Sequence, residues 1–510
     1  MKLWIVACLI FLFAIGLRLW NLNLMGRWWD EQWYMEKGNA IVELIKQGNF
    51  NEPFWYKEGA DHPPVSTYVY GLASYLDKTS YDPHGVSIFP NMPKGVTTFR
   101  YDLTYTRLVS VIISSLAVVL VFFFGVRYFS FFVGTIAALI LAMLPHFLGF
   151  SQLVTLESWI VLFFTACVFS YCLYLETGRK KFLALTGILT GFCLQVKQSD
   201  ILILLFYFLA FFLWKKIAKK QNIVLSHFSL LGVIAIITSV IIYPIPILHP
   251  LGFFSFTYNL WFHNGGRVHE LLFGVHMGAR GFFYLAAFFV TTPLLILLFC
   301  ALGIKAAILA RKKWIYPTLL IWFSVPFFMS FFHHRQNMVR YIIEFYAPLS
   351  LLAAIGLEQL MKRFTKKAFM HYGAGFLLLV YLLMILLQST PYYLTYFNEL
   401  VGGTKNVYEK KLFFIGWFGE GLRGPGIYIA EHASKNAKIG MALNPEQTLY
   451  KSPQLRYETF TPKHQYEYVV DNYFNSIRIG FDENVLKKDY TLVYTEKADG
   501  ADLAHVFKHK

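Results

Sequence analysis

Two adjacent carboxylates carry the first sign of chemistry in this chain. They lie in Trp28-Trp29-Asp30-Glu31-Gln32-Trp33-Tyr34, ten residues after an apolar run, among aromatic residues of the kind that gather at a membrane interface. Carboxylates in such surroundings are partly desolvated, and desolvation raises a carboxylate's pKa toward values that suit a general base. The residues also fit a plainer role, with Asp30 capping an amphipathic interfacial helix over 31–46 and Glu31 in its first turn. Next comes Asp61-His62-Pro63-Pro64. The two prolines suit a helix start, which sets His62 at that helix's N-terminus, able to bind a metal or a phosphate or to hydrogen-bond the adjoining loop.

Lys197, in Gly191-Phe-Cys-Leu-Gln-Val-Lys197-Gln-Ser-Asp200, lies between two apolar runs. Its distance from the preceding basic cluster, about 16 residues at roughly 1.5 Å each, puts it about 24 Å along a helix. A charge at that depth is costly and points to function, although a lysine near the edge can also extend its ammonium to the surface. Glu157 opens another apolar run after an uncharged loop, where it suits a helix N-terminus. Two further segments carry cations: His263, Arg267, His269, His276 and Arg280 in one, and His333, His334, Arg335 and Arg340 in the other. Together they would suit a phosphate; singly they suit lipid headgroups. Gly419-Glu-Gly421-Leu-Arg-Gly424 matches a dinucleotide fingerprint but is followed at once by Pro425, without the strand–turn–helix setting that fingerprint needs.

The elements that must hold these residues are read from composition. Of 510 residues, 56% are hydrophobic and 15% charged, against about a quarter charged in an average soluble domain. That excludes a soluble multidomain protein, a disordered chain, a coiled coil and a disulfide-rich scaffold. The five cysteines all lie in apolar runs and have no zinc spacing with histidine. Eleven apolar runs of spanning length occur near 3–20, 107–126, 129–146, 158–175, 182–197, 199–214, 225–245, 281–300, 314–332, 341–358 and 369–388. With the short run 63–77 left on the surface, the basic loops around Arg127, Arg179–Lys181, Lys215–Lys220, Lys305–Lys313 and Lys362–Lys367 all fall on one side. The positive-inside rule makes that side cytoplasmic. The net charge of +16 therefore marks topology rather than nucleic-acid binding. The expectation is a polytopic α-helical membrane protein with a cytoplasmic N-terminus. Residues 1–388 form its membrane domain, with an outer loop over 21–106. Residues 389–510 form a small α/β domain on the outer side, with a helix within 419–436 and strands at 438–443, 455–460, 466–470 and 490–495.

In this order the motifs resemble those of the GT-C superfamily of membrane glycosyltransferases, nearest the prokaryotic relatives of protein O-mannosyltransferases (glycosyltransferase family 39) and the lipid A aminoarabinose transferase. Asp30-Glu31 is similar to the acidic pair of that family's first outer loop, and His62-Pro63-Pro64 to its juxtamembrane motif. Arg107 resembles its arginine opening the second span, and Lys197 its lysine in a glycine-rich helix end. Glu157 stands where the family usually has aspartate, which leaves its geometric role open. Gly281-Phe-Phe-Tyr284 with Thr291-Thr-Pro293, Arg340-Tyr341, and Tyr396-Phe-Asn-Glu-Leu-Val-Gly-Gly403 complete the likeness, which spans about residues 1–430.

The resemblance implies a sugar donor linked to polyprenyl phosphate, and transfer outside the cytoplasm to a protein, lipid or glycan hydroxyl. Asp30 would take the acceptor's proton, and Glu31 would orient the acceptor or the surroundings of Asp30. Lys197, then Arg340, with Tyr284 beside them, would hold the donor phosphate. His62 and Glu157 could hold a divalent metal, whose use varies across the family. The competing expectation is a transporter or lipid flippase. Such proteins place ionisable groups near the bilayer midplane and often carry inverted repeats, whereas here the charges cluster at outer helix ends and no repeat is visible.

Overall fold

The computed structural model describes the chain except residues 1, 59–63, 83–88, 90–91, 94–97, 100–102, 219–225, 263–269, 278–281, 332–337, 365–366, 417–418, 444–448 and 479. Helices α1 (Lys2–Leu19), α2 (Trp29–Lys46) and α3 (Val65–Ser74) lead to a short strand pair, β1 (Tyr81–Asp82) and β2 (Thr98–Phe99). Then follow α4 (Thr104–Tyr128), α5 (Phe131–Met143), α6 (Pro145–Ser151), α7 (Glu157–Thr177), α8 (Lys180–Leu194) and α9 (Leu202–Ala218). Next are α10 (Ser226–Ile242), α11 (Ile245–Leu248), α12 (Pro250–Phe262) and the hairpin β3 (Glu270–Leu272) and β4 (Val275–Met277). The helical part ends with α13 (Phe282–Thr291), α14 (Leu294–Leu309), α15 (Ile315–Ser330), a 3-10 helix over Arg340–Phe345, α16 (Tyr346–Phe364) and α17 (Ala368–Ser389).

Among the described residues, four helices are long and apolar enough to cross a membrane: Thr104–Tyr128, Glu157–Thr177, Arg340–Phe364 and Ala368–Ser389. Two bent pairs bring the number to six if each is one span: α5 with α6, at 66°, and α13 with α14, at 117°. The apolar runs 129–146 and 281–300, expected as single helices, therefore break, and each breaks at a proline. Pro145 and Pro293 lack the amide that would continue the ladder, and each biases the residue before it away from helix. Similarly α8 stops at Leu194, so Lys197 lies in the connection beyond the helix rather than within it.

The segment between α1 and α4 is held close to the bundle. Most of the residues of α2 from Glu31 to Leu44 are buried, so the helix packs more deeply than a surface-lying amphipathic helix would. It crosses α3 with no side chains between, because a Cβ at Gly38 would meet the Thr67 carbonyl at 2.5 Å and one at Gly71 would meet the Gly38 carbonyl at 2.3 Å. The Tyr70 hydroxyl then bonds Ser110 of α4 (2.7 Å) and donates to the Thr155 carbonyl before α7 (2.6 Å).

Beyond α17 come α18 (Gly403–Glu409), α19 (Arg423–His432), strands β5 (Lys438–Ala442), β6 (Arg456–Thr459) and β7 (Tyr468–Asn472), α20 (Tyr473–Arg478), β8 (Tyr490–Ala498) and β9 (Ala501–His509). The sheet runs β6-β5-β7-β9-β8, with β5 parallel to β6 and β7, and β9 antiparallel to β7 and β8. Its own core includes Ile429, Ile439, Met441, Val470 and Val506. Tyr392, Tyr393, Phe397, Val407 and Phe413 instead pack into the cluster that runs through the helices, so in packing the segment after α17 goes with the membrane part. The sequence reading missed β9. The signal for it is the Asp499-Gly500 pair, both at positive φ (45° and 79°), closing a two-residue hairpin between the paired Ala498 and Ala501.

Candidate active site

Asp30 and Glu31 part company at the start of α2. The helix begins after Trp28, whose amide donates to Glu31 Oε2 at 2.8 Å. Glu31 Oε1 also accepts from the Val154 amide (3.0 Å) and Arg107 Nε (2.8 Å), and Oε2 from Arg107 Nη2 (2.6 Å). Arg107 also donates to the carbonyls of Leu22 (2.9 Å) and Gly26 (2.5 Å) and to Asn23 Oδ1 (3.5 Å). Glu31 is fully buried with four donors around it, so it has no lone pair left for an acceptor. Of the two roles expected of it, this arrangement fits only the fixing of Asp30's surroundings.

Asp30 turns the other way and meets Arg340. Arg340 Nη1 reaches Asp30 Oδ2 at 2.5 Å, Nε reaches Glu157 Oε1 at 2.5 Å, and Nη2 donates to the Tyr34 hydroxyl at 3.2 Å. The guanidinium carbon also lies 4.9 Å from the centroid of the Trp28 ring. Burial pushes the Tyr34 phenol well above its ordinary pKa, with Arg340 pulling the other way, so it serves as a neutral partner. Arg340, expected as a second cation for a phosphate, is instead committed along three directions within the protein. The side chains of Arg340 and Glu157 are 7% and 2% exposed and that of Asp30 is 24% exposed. Asp30 is thus the member of the cluster that opens to the molecular surface.

Lys197 stands beside this group. Its ammonium lies 4.7 Å from the centroid of the Tyr341 ring, next to Arg340 in the 3-10 helix. It is within electrostatic reach of Glu157, and of two carboxyls that the sequence reading did not single out, Asp200 and Glu344. Those two are buried and meet side chain to side chain. Asp200 also accepts from the Cys193 thiol (3.5 Å). The start of α3 is fixed here as well, since the Val65 amide donates to the Gln195 carbonyl at 3.0 Å. Tyr284 is fully buried, within reach of Tyr341, Glu344 and Glu270, and so lies behind Tyr341 rather than beside Asp30.

His62, Arg267 and the histidines at 263, 269, 333 and 334 lie outside the described residues, as do Arg280 and Arg335. Among the described residues no group of three or more His, Cys, Asp or Glu side chains is arranged to hold a metal ion. Of the pair expected to hold a divalent metal, His62 lies outside the described residues and Glu157 Oε1 is taken by Arg340 Nε.

The bundle of apolar helices that holds these residues has counterparts in known proteins. The model of the dolichyl-phosphate-mannose-protein mannosyltransferase family matches residues 8–264, just over half of the chain. The chain belongs to this family. It is a membrane glycosyltransferase of the GT-C superfamily, as the motifs led one to expect. The transferase is similar in fold to ArnT from Cupriavidus metallidurans in the apo state (TM-score 0.53, 14% identity, 99% of this chain and 97% of that one). ArnT bound to undecaprenyl phosphate gives a TM-score of 0.52 at 13% identity, covering 99% and 98%. It also resembles the archaeal oligosaccharyltransferase AglB from Archaeoglobus fulgidus, in complex with an inhibitory peptide and a dolichol-phosphate (TM-score 0.55, 14% identity, 100% and 74%). At these identities the likeness is one of fold. No curated protein sequence matches.

Proposed function

We propose that the transferase moves a sugar from a polyprenyl-phosphate donor to an acceptor hydroxyl at the outer membrane face, with Asp30 as general base and Lys197 on the donor phosphate. The acceptor oxygen attacks the sugar's anomeric carbon, its proton passes to Asp30, and the bond from that carbon to the phosphate oxygen breaks. Negative charge then grows on the leaving phosphate. A fixed ammonium beside it binds the transition state more tightly than the ground state. Arg340 holds Asp30 and Glu157 in place and takes no part in bond making. The observation that carries this reading is the contrast in exposure: Asp30 opens outward, while Glu31 and Glu157 are sealed. Undecaprenyl phosphate on ArnT and dolichol-phosphate on AglB support a lipid-phosphate donor.

Purified protein, a labelled polyprenyl-phosphate sugar and candidate acceptors provide the test. Asp30→Asn is expected to lower kcat by at least about 10²-fold, with donor KM nearly unchanged. Lys197→Ala is expected to lower kcat and raise donor KM together. Full activity in Asp30→Asn would sink its role as base. The proposed topology has eleven spans, a cytoplasmic N-terminus and an outer C-terminal part. It predicts that reporter fusions at Ile217 are active inside and those at Leu400 outside; the opposite pattern would overturn it.

A further inference from the structure

The far end of the bundle holds a cavity that the transfer reaction does not use. Helices α14 and α16 touch backbone to backbone midway: a Cβ at Gly303 would sit 1.9 Å from the Leu352 carbonyl, and one at Gly356 1.9 Å from the Phe299 carbonyl. Beside this contact the two helices leave a gap. The result is a wedge of about 330 Å³ whose lining includes Leu302, Lys305 and Leu309 from α14 and Gln359, Leu360 and Arg363 from α16. On each helix the lining residues recur at spacings of three and four, so each set forms one continuous face. Tyr316 at the start of α15 closes the third side.

The lining is amphiphilic. Lys305 and Arg363 supply two cations, and neither forms an ion pair among the described residues. The nearby acid is occupied elsewhere: Glu358 accepts from Ser130 (2.6 Å) and pairs with Lys362 (2.7 Å). Leu309, 73% exposed, continues the wedge toward where acyl chains would lie. Arg311, Lys312 and Lys313 follow in the next turn. The site is remote from Asp30. Arg340 and Arg363 lie 23 residues apart along one span, roughly 35 Å at 1.5 Å per residue.

We propose that this wedge binds the phosphodiester headgroup of one anionic phospholipid, in the leaflet opposite the active site. The volume has room for on the order of ten waters, which accommodates a phosphate and its glycerol. Arg363 supplies a planar fork for two phosphate oxygens and Lys305 a compact charge beside it, while the leucines meet the first methylenes. Basic pockets between membrane helices suit such headgroups. The proposal does not depend on the transferase reading. A structural alternative is that the two cations only offset the helix C-terminal dipoles, which would act in any lipid.

The test reconstitutes the full chain in nanodiscs of phosphatidylcholine, with and without phosphatidylglycerol, and reads native mass spectra and Tm. One retained phosphatidylglycerol and a Tm rise of a few degrees are expected for the unmodified chain. Lys305→Gln with Arg363→Gln should cut that occupancy by about tenfold or more and abolish the rise. Lys313→Gln, outside the wedge, should preserve both. Ala310→Trp, which narrows the mouth while keeping both charges, should also lose the lipid, and decides the matter if the double variant fails to fold. Equal retention in the variants would overturn the site. An equal Tm rise from inorganic phosphate in phosphatidylcholine alone would overturn the lipid as its ligand.

Discussion

Arg340 does at one point what no single lysine could. Its planar fork meets Asp30, Glu157 and Tyr34 in three directions at once, whereas an ammonium offers a compact charge on a flexible stem. The neighbouring carboxyls, Asp200 and Glu344, are buried within electrostatic reach of Lys197. Asp200→Asn, which keeps a polar side chain of the same size there, should keep donor KM within about threefold, while Asp200→Ala removes that group from a buried polar site and should raise it by about tenfold or more. Equal kinetics in the two variants would deny the pair a role in positioning Lys197. Much of this residue-level picture was legible in advance. Asp30, Glu157, Lys197 and Arg340 stand out because each is a charge in apolar surroundings. Their pairing was not legible, since the ion pair of Arg340 with Asp30 spans 310 positions and that with Glu157 spans 183. Nor was the division of labour between Asp30 and Glu31. Adjacent helical residues point about 100° apart, enough to send one carboxylate to Arg340 and the other to Arg107. Asp200 and Glu344 were overlooked because each reads as an ordinary charge at a helix end until the fold brings them together.

At the scale of elements, the site is assembled from terminations rather than from helix faces: the start of α2, the start of α7, the connection after α8 and the 3-10 turn before α16. Apolar periodicity identifies the helices well, but it says little about how their ends meet. The breaks at Pro145 and Pro293 were visible as residues and were overridden by the continuous apolar runs around them. The joint that fixes α2 is the buried pair of Glu31 and Arg107, 0% and 2% exposed. Glu31→Gln removes a charge that Arg107 needs and turns one acceptor oxygen into a donor. It should cost about 3–5 kcal/mol, read as a lower unfolding midpoint in detergent, before any effect on chemistry is considered. Glu31→Gln combined with Arg107→Met should recover part of that loss, because no unpaired charge then remains buried. A destabilisation that is simply additive would contradict the pairing.

At the scale of the whole molecule, the sheet beyond α17 carries a charge cluster of its own. His505 on β9 bonds Glu483 at 2.6 Å and approaches Asp502 at 3.5 Å. Burial opposes its charging, but the two carboxylates outweigh burial and hold its pKa above the ordinary value. A histidine raised on folding contributes stability that is fully present below its unfolded pKa of about 6.5 and is lost as pH climbs through the folded value. Hydrogen-exchange protection along β9 should therefore fall as pH rises above about 6.5, and His505→Gln should flatten that dependence. A profile that is the same in both proteins would remove the cluster from any account of this part's stability. The expectation of a small α/β unit here rested on alternating residues and held for four of the five strands of the sheet. The fifth, β9, carries charges at positions that the sheet leaves partly open, which weakened its alternation.

The long reach of Arg340 has a consequence for how the protein is made. Chains emerge from the ribosome N-terminus first, so Asp30 and Glu157 enter the membrane boundary well before residue 340 exists. During that interval no guanidinium stands between them, and their pairing waits for the last third of the chain. The active centre is therefore a late product of biogenesis, closed by the segment that also begins the next span.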